Sequence, residues 1–344
     1  MRALRAGLLL SFTLALAACA ATPDAPVTTT PSQATDPSVT EGLERYMEQR
    51  ARVEAVGFRL RTAAARQCAR GNATKPELGL IVWSLANFEN AEDRAHLKNA
   101  FGLTETVTIA LAVDQAPAAA AGLKTGDVIT HVNDEPAGKG KGATERFIAL
   151  STTAAREGPV RVRLANGDNF ALTPKTVCEF PTLLVRSPEI NAAADGRVLA
   201  ITSGLFDLTR SDDELALVLG HELAHNVLGH LKKAQPAKPS GILDAFLRAT
   251  IGTAVAASTS PPFPIAFEKE ADYAGLYFMA RAGYEIAAAE AFWRRLNETT
   301  RAKSVAKTHP SGPERLKALQ AAIAEIKAKQ KANQPLEPNL KPRR

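Results

Sequence analysis

Apolar positions along the chain fall into blocks of different period. Ala6 to Leu16 is a short, predominantly apolar run, and residues 20–40 carry almost no periodic apolar pattern, being rich in Ala, Thr, Pro and Ser. That texture predicts a flexible linker. From Glu41 to Arg70, Leu43, Met47, Val53, Val56 and Leu60 recur at helical spacing among Arg and Glu, and Gly71-Asn72 ends the pattern. Between about 75 and 176 the period shortens. Val107 to Val113 and Val160 to Leu164 read as strands, with Asn166-Gly167-Asp168 as a hairpin turn. Thr182 to Arg186 and Val198 to Thr202 predict two further strands. Helical stretches then cover 212–229, 266–282, 285–300 and 312–329. Gly241 to Thr259 is an Ala-rich apolar stretch before Pro261-Pro262, read as a buried helix in preference to a lid, since Asp244 and Arg248 make it a poor membrane span. No repeat of fixed period is present. The pattern predicts an α+β chain.

A length of 344 residues, 45% hydrophobic and 23% charged, allows two domains of ordinary size with a core large enough to hold a rigid site. The net charge of +6 is mild, and much of it lies in Lys327, Lys329, Lys331, Lys341, Arg343 and Arg344, a basic tail expected to be solvated. No stripe of basic and aromatic residues argues for nucleic acid, so a nucleic-acid partner is not expected.

Arg2 and Arg5 ahead of the Ala6 to Leu16 run form the charged and apolar regions of a secretory signal, too short for a comfortable membrane span. The run ends in Leu16-Ala17-Ala18-Cys19, which resembles the bacterial lipobox. That resemblance implies acylation of Cys19 and a membrane anchor through lipid, and Ala20 in place of Asp favours the outer membrane, facing the periplasm. In that oxidising compartment Cys68 and Cys178 are a candidate disulfide, with two separate buried thiols as the other reading.

Ala116 to Ile129, with Gly122-Leu123-Lys124-Thr125-Gly126-Asp127, is similar to the PDZ-domain run in which a short helix leads through a Gly-Asp turn into a strand. The resemblance implies a peptide-binding module over residues 75–178. Phe101, Gly102 and Leu103, with Ala100, are the candidate loop for a peptide carboxylate, and a plain turn at Gly102 is the competing reading.

The most informative segment runs from Ser211-Asp212-Asp213-Glu214 to His221-Glu222-Leu223-Ala224-His225. Ser211 with Glu214 is a capping-box signature that starts a helix with acidic residues on its positive end. At ~100° and ~1.5 Å per residue, two histidines four apart on this amphipathic helix fall on one face and about 6 Å apart along the axis. Both imidazoles then reach one metal ion, and Glu222 beside them suits proton transfer from water. Only six histidines occur in the chain, so the pairing is informative. His230, nine residues after His221, lies about 180° around a continuous helix and is expected to face away, packing or capping carbonyls. Glu268 and Asp272 present two carboxylates on one side of a second helix. One can ligate a metal and the other can accept from the free N–H of a ligating histidine. Glu270, two residues on from Glu268, is the rival within that run.

Gly220-His221-Glu222-Leu223-Ala224-His225, Glu268 to Asp272, and Thr308-His309-Pro310 with Arg315 together resemble the M48 family of zinc metalloproteases, over about 185–320. The resemblance implies one Zn2+ per chain held by His221, His225 and Glu268, with Asp272 behind them and Glu222 as general base. It makes His309 an inhibitory fourth ligand, a transition-state donor or a structural Thr-His-Pro turn. Arg315 would pair with Asp272 or stabilise an oxyanion. The expected architecture is a zincin-type (gluzincin-like) α+β catalytic domain over 179–326, with an active-site helix and a small sheet. Ahead of it come a signal peptide (1–19), a linker (20–40), a helix packing on the catalytic domain (41–74) and the inserted β-rich PDZ-like domain, and behind it a basic tail (327–344). The expected function is endopeptidase cleavage of misfolded or misassembled envelope polypeptides, the substrate lying extended along Val198 to Thr202. The alternative is a periplasmic chaperone or peptide-binding protein in which the metal site is secondary.

Overall fold

A computed structural model of the chain describes residues 37–234, 263–302 and 313–340. Cys19, the 241–259 stretch, His309, Lys341, Arg343 and Arg344 lie outside the described residues.

Helix α1 (Pro37–Ala63) begins four residues before the expected Glu41, with Pro at its first position, where a missing N–H costs nothing. A turn at Ala64 separates it from α2 (Ala65–Ala69). α1 serves two cores. Val53, Val56 and Leu60 enter the main one, while Phe58 packs with Leu111, Val113, Ala116 and Val177 of the β-rich part.

That β-rich part holds β1 (Thr74–Glu77), β2 (Leu80–Trp83), α3 (Ala91–Phe101), β3 (Thr108–Ala112), α4 (Pro117–Ala120), β4 (Ile129–Val132), β5 (Glu135–Pro136), α5 (Ala143–Glu157), β6 (Val160–Leu164), β7 (Asn169–Leu172) and β8 (Lys175–Cys178). β2 pairs with β3, and β5-β4-β6-β7 form a four-stranded antiparallel sheet. Strict alternation on β6 sends Val160, Val162 and Leu164 inward and Arg161 and Arg163 outward. Its turn into β7 uses Gly167 at a φ of 95°, a left-handed conformation that glycine adopts without a Cβ clash. β1 and β8, the first and last strands, pair antiparallel, and a disulfide joins Cys178 to Cys68 with their Cα atoms 5.5 Å apart. The candidate carboxylate loop is a helix end. Gly102 is the left-handed cap of α3, the N–H groups of Gly102 and Leu103 both turn to the Leu97 carbonyl, and Leu103 is buried beside Leu85 and Leu97. Helix capping therefore uses the donors that a bound carboxylate would need.

The second part opens with β9 (Thr182–Val185), β10 (Ala192–Ala194) and β11 (Leu199–Thr202). β11 is central in the order β10-β11-β9, antiparallel to β10 and parallel to β9. Then follow α6 (Ser203–Leu208), α7 (Asp212–Leu228), α8 (His230–Ala234), α9 (Ile265–Arg281), α10 (Ala289–Ala302) and α11 (Pro313–Lys331). α7 is not amphipathic in its setting. Leu215, Ala216, Leu219, Leu223 and Ala224 are wholly buried and fall all around it, because α1, α9 and the β10-β11 strands cover its sides. α9 crosses it at glycines. A Cβ at Gly275 would stand 3.0 Å from the backbone of Gly220 and the His221 nitrogen, and one at Gly220 would stand 3.2 Å from the Gly275 carbonyl oxygen.

The basic tail starts inside α11, where Lys327 and Lys331 are exposed as expected, whereas Lys329 and the segment from Leu336 to Leu340 are held against the protein. Lys329 donates to the Tyr277 hydroxyl and the Glu337 carbonyl, and the Asn339 N–H donates to the Tyr273 hydroxyl. Leu336 and Leu340 pack on the main core. Tyrosine hydroxyls on α9 and the Glu325 carboxylate supply partners for this segment that charge composition alone does not reveal. No described helix is long and apolar enough to cross a membrane.

Overpacking a backbone-to-backbone contact has no cheap relief. Gly275→Ala is expected to lower stability by about 1–3 kcal/mol. Urea denaturation reads this, and an unchanged midpoint would show that the helices part freely at this crossing.

Candidate metal centre

Ser211 caps α7 by accepting from the Glu214 N–H at 3.3 Å, and Asp212, Asp213 and Glu214 occupy the first turn. The Glu214 carboxylate reaches the Arg210 N–H at 2.7 Å and Arg295 at 2.5 Å, so only the serine half of the expected capping box forms. Two turns on, His221, Glu222 and His225 are each 2% exposed. The helix is pinned to the β10-β11 turn by Asn226, which accepts from the Gly196 N–H at 2.7 Å and donates to the Val198 carbonyl at 3.0 Å.

The Gly220–Gly275 crossing sets α9 close enough for its carboxylates to reach these histidines. Nε2 of His221 lies 3.0 Å from Nε2 of His225, 3.4 Å from one Glu268 oxygen, and the other Glu268 oxygen is 3.5 Å from His225 Nε2. One donor atom from each of the three residues falls within 4.8 Å of the others, all buried. Asp272, four residues past Glu268, accepts at 2.9 Å from the far side of His221, at Nδ1.

Arg315 on α11 closes the back of the site. It donates to both oxygens of Asp272, at 2.5 and 2.8 Å, and lies 3.0 Å from Glu268. Its guanidinium sits 4.4 Å over the Trp293 ring, and that ring meets His221 edge-on at 5.6 Å. Of the two roles expected for Arg315, the contacts support pairing with Asp272.

Burial raises the Asp272 pKa, but the Arg315 charge and its hydrogen bonds outweigh that and hold the carboxylate below its usual range. For His221, burial works against the charged ring, yet hydrogen bonds to Asp272 and Glu268 prevail and push its pKa up to about 9. The raised His221 value reports a surplus of carboxylate charge beside it. Among the described residues, Glu222, Glu268 and Asp272 bring three buried carboxylates together with the guanidinium of Arg315. Buried charge of this kind is costly unless compensated. A divalent cation at the meeting point of the two Nε2 atoms and Glu268 would supply the missing charge.

The donor set fits such an ion. Two imidazole nitrogens and a carboxylate oxygen suit a first-row divalent metal, and three protein ligands leave a position open. Two nitrogens bound to one tetrahedral ion stand roughly 3.3 Å apart, from ~2.0–2.1 Å bonds. The two Nε2 atoms, 3.0 Å apart, are within a few tenths of an ångström of that spacing.

His230 departs from the expectation that it faces away. Gly229 takes a left-handed φ of 65° and ends α7, so the continuous-helix projection stops one residue before His230. The chain turns and His230 opens α8, wholly buried, with Nδ1 3.0 Å from His225 Nδ1 and Nε2 3.1 Å from Glu270. Burial is the leading influence on its pKa and holds it below the ordinary value in spite of Glu270. Phe267 stacks on His230 at 4.5 Å, and Phe263 on His225 at 4.3 Å. Glu270, weighed as a rival ligand, faces His230 and not the His221–His225 gap. Trp293, His230 and the aromatic stack were missed by motif reading; the Gly229-His230 step after the second histidine was the available signal for His230. A cleft reaches His225 from this side, bordered by Arg70, Gly196, Asn226 and Lys232.

β11, the expected substrate strand, has β10 on one edge and β9 on the other, so a peptide cannot pair with it. The outer edge of β10 has no strand partner among the described residues.

Comparison with known proteins matches residues 163–323 to the model of peptidase family M48, a span that contains His221, Glu222, His225, Glu268, Asp272 and Arg315. Residues 163–323 are thus similar to peptidase family M48. The mitochondrial metalloendopeptidase OMA1 of Schizosaccharomyces pombe is 28% identical over 170 residues, 44% of this chain and 48% of its own. A Vibrio cholerae protein carrying the name beta-barrel assembly-enhancing protease is 31% identical over 180 residues, 45% of this chain and 36% of its own. The matched part thus spans less than half the length of these relatives. Among solved structures, the HtrA3 PDZ domain bound to a phage-derived ligand aligns with 30% of this chain and 89% of its own, at 20% identity and a TM-score of 0.23, too low to argue from.

The raised His221 pKa gives the candidate site a signed pH dependence. Between the ordinary value of 6.5 and about 9, the metal-free ring holds a proton that a metal must displace. Zinc affinity is therefore expected to climb with pH up to about 9, with roughly one proton released per ion near neutral pH. In the metal-free protein, the stabilisation that His221 gains from its carboxylates is complete below 6.5 and lost as pH rises through about 9. Calorimetric zinc titration in buffers of different ionisation enthalpy counts the protons; zero release at pH 7.5 would contradict the charge assignment.

Proposed function

We propose that the chain is a zinc-dependent endopeptidase of the bacterial cell envelope. The observation that carries this reading is the convergence of His221, His225 and Glu268, from two helices, on one buried point beside Glu222. Zinc bound there supplies Lewis acidity that polarises a peptide carbonyl and makes water nucleophilic near neutral pH. Glu222 is the general base on this reading, taking a proton from the attacking water and returning it to the leaving amine. Arg315, paired with Asp272 and Glu268, keeps the Asp272 carboxylate ionised; Asp272 in turn holds the His221 proton on Nδ1 and leaves Nε2 free to ligate. A substrate segment would lie extended against the outer edge of β10, whose antiparallel partner β11 is anchored to α7 through Asn226. That arrangement agrees with a zincin-type catalytic domain.

Substrates are polypeptides, and the name of the Vibrio cholerae relative supports envelope proteins, including misassembled ones. The β-rich residues 75–178 are read as a PDZ-like module, supported by the α4 helix, the Gly126-Asp127 turn and the β4 strand that follow one another there. Cys19 in its lipobox-like run supports a lipid anchor at the outer membrane, facing the periplasm.

Glu222→Gln removes the base while keeping shape and volume. It is expected to retain zinc and thermal stability and to lose at least 100-fold in cleavage of a quenched fluorescent peptide, the scale of general-base catalysis. Near-wild-type turnover in that variant would refute the role, and a wild-type chain inert towards peptides with zinc bound would refute the enzyme.

A further inference from the structure

The two histidines of the centre are backed in different ways. His221 donates from Nδ1 directly to Asp272. His225 faces another imidazole instead, Nδ1 to Nδ1 at 3.0 Å, and the far nitrogen of that ring is 3.1 Å from Glu270.

Hydrogen placement along this chain follows from one requirement. If Nε2 of His225 gives its lone pair to a metal, the ring's proton resides on Nδ1. Two N–H groups cannot point at each other, so His230 Nδ1 must be an acceptor. A neutral His230 then carries its proton on Nε2, which donates to Glu270. The order is His225 Nδ1–H to His230 Nδ1, then His230 Nε2–H to Glu270. Each donor has one acceptor, and the direction is fixed from the carboxylate inwards.

We propose that His230 is a positioning residue which, oriented by Glu270, fixes the tautomer and ring angle of His225 for metal binding. This rests on the zinc reading above and deepens it. The fold supplies the means. Gly229 reverses the chain immediately before His230, Phe267 stacks on its ring almost parallel, at 8°, and Phe263 covers His225. Glu270 comes from α9, the helix that also carries Glu268, so one element sets both a ligand and the far end of the relay. Glu270 is about a third exposed, while His230 is wholly buried. The relay thus runs from the protein surface to the metal ligand.

The test is zinc affinity of the full chain by competition with a chromophoric chelator, with circular dichroism as the check on folding. His230→Asn keeps an acceptor near the position of Nδ1, and His230→Leu keeps apolar bulk without one. The expected result is zinc bound 10–100-fold more weakly by the Leu variant, the usual scale for loss of such a partner, with the Asn variant within about threefold of wild type. A purely packing role against Phe267 predicts the reverse order. Leu within threefold of wild type, or Asn as weak as Leu, overturns the proposal. If the Leu variant fails to fold, Glu270→Ala decides: a loss of threefold or more supports the relay and an unchanged affinity overturns it. Wild-type protein that binds no zinc would sink the enzyme reading itself, an outcome separate from equal affinities in wild type and variants.

Discussion

Backbone contact between Gly220 and Gly275 sets the distance between the helix that carries the histidines and the helix that carries Glu268, Asp272 and Glu270. Any side chain at either position would hold the axes farther apart, and the 3.4 and 3.5 Å approaches of Glu268 to the imidazoles depend on that spacing. The crossing is supported from outside. α1 and the β10-β11 strands cover α7, and α11 covers α9. Most of the second part's apolar core is thereby organised around two helices whose inner faces are polar.

Those inner faces concentrate charge in a dry place. Among the described residues, the carboxylates of Glu222, Glu268 and Asp272, the guanidinium of Arg315 and the imidazoles of His221 and His225 share a small buried volume. In the absence of a cation the cluster is relieved by a proton on His221, which explains why its pKa rises to about 9 despite burial. A divalent cation would relieve the same surplus, since one donor atom from each of His221, His225 and Glu268 lies within reach of a common point. Arg315 cannot do this alone. It holds the rear of the site by neutralising Asp272 and part of Glu268, and Trp293 stacks on it from the side. Stability and metal affinity are therefore linked through one electrostatic balance.

Much of the centre was legible in the sequence because its residues stand at helical intervals: His221 and His225 four apart, Glu268 and Asp272 four apart, each pair on one face. The strand and helix positions from Val160 onwards followed their apolar period closely, and the β6-β7 turn was carried by Gly167. What periodicity could not show was a change of direction. His230 was projected along a helix that stops at Gly229, and the true position depends on one left-handed residue. Strand order was equally hidden: Val198 to Thr202 reads as a strand, but its central place between β10 and β9 is a long-range fact. The part of the chain end that is not solvated escaped notice because the partners of Lys329 and Asn339, Tyr277 and Tyr273, come from a distant helix. Phe101-Gly102-Leu103 failed as a binding loop for a local reason, the capping of α3.

The measurement that bears most directly on the central claim is metal content of the purified chain, wild type beside Glu268→Ala, after dialysis against trace zinc. One ion retained per wild-type chain and little or none in the variant is the predicted result. A wild-type chain without metal, or a variant that holds it equally well, would contradict a centre built from His221, His225 and Glu268.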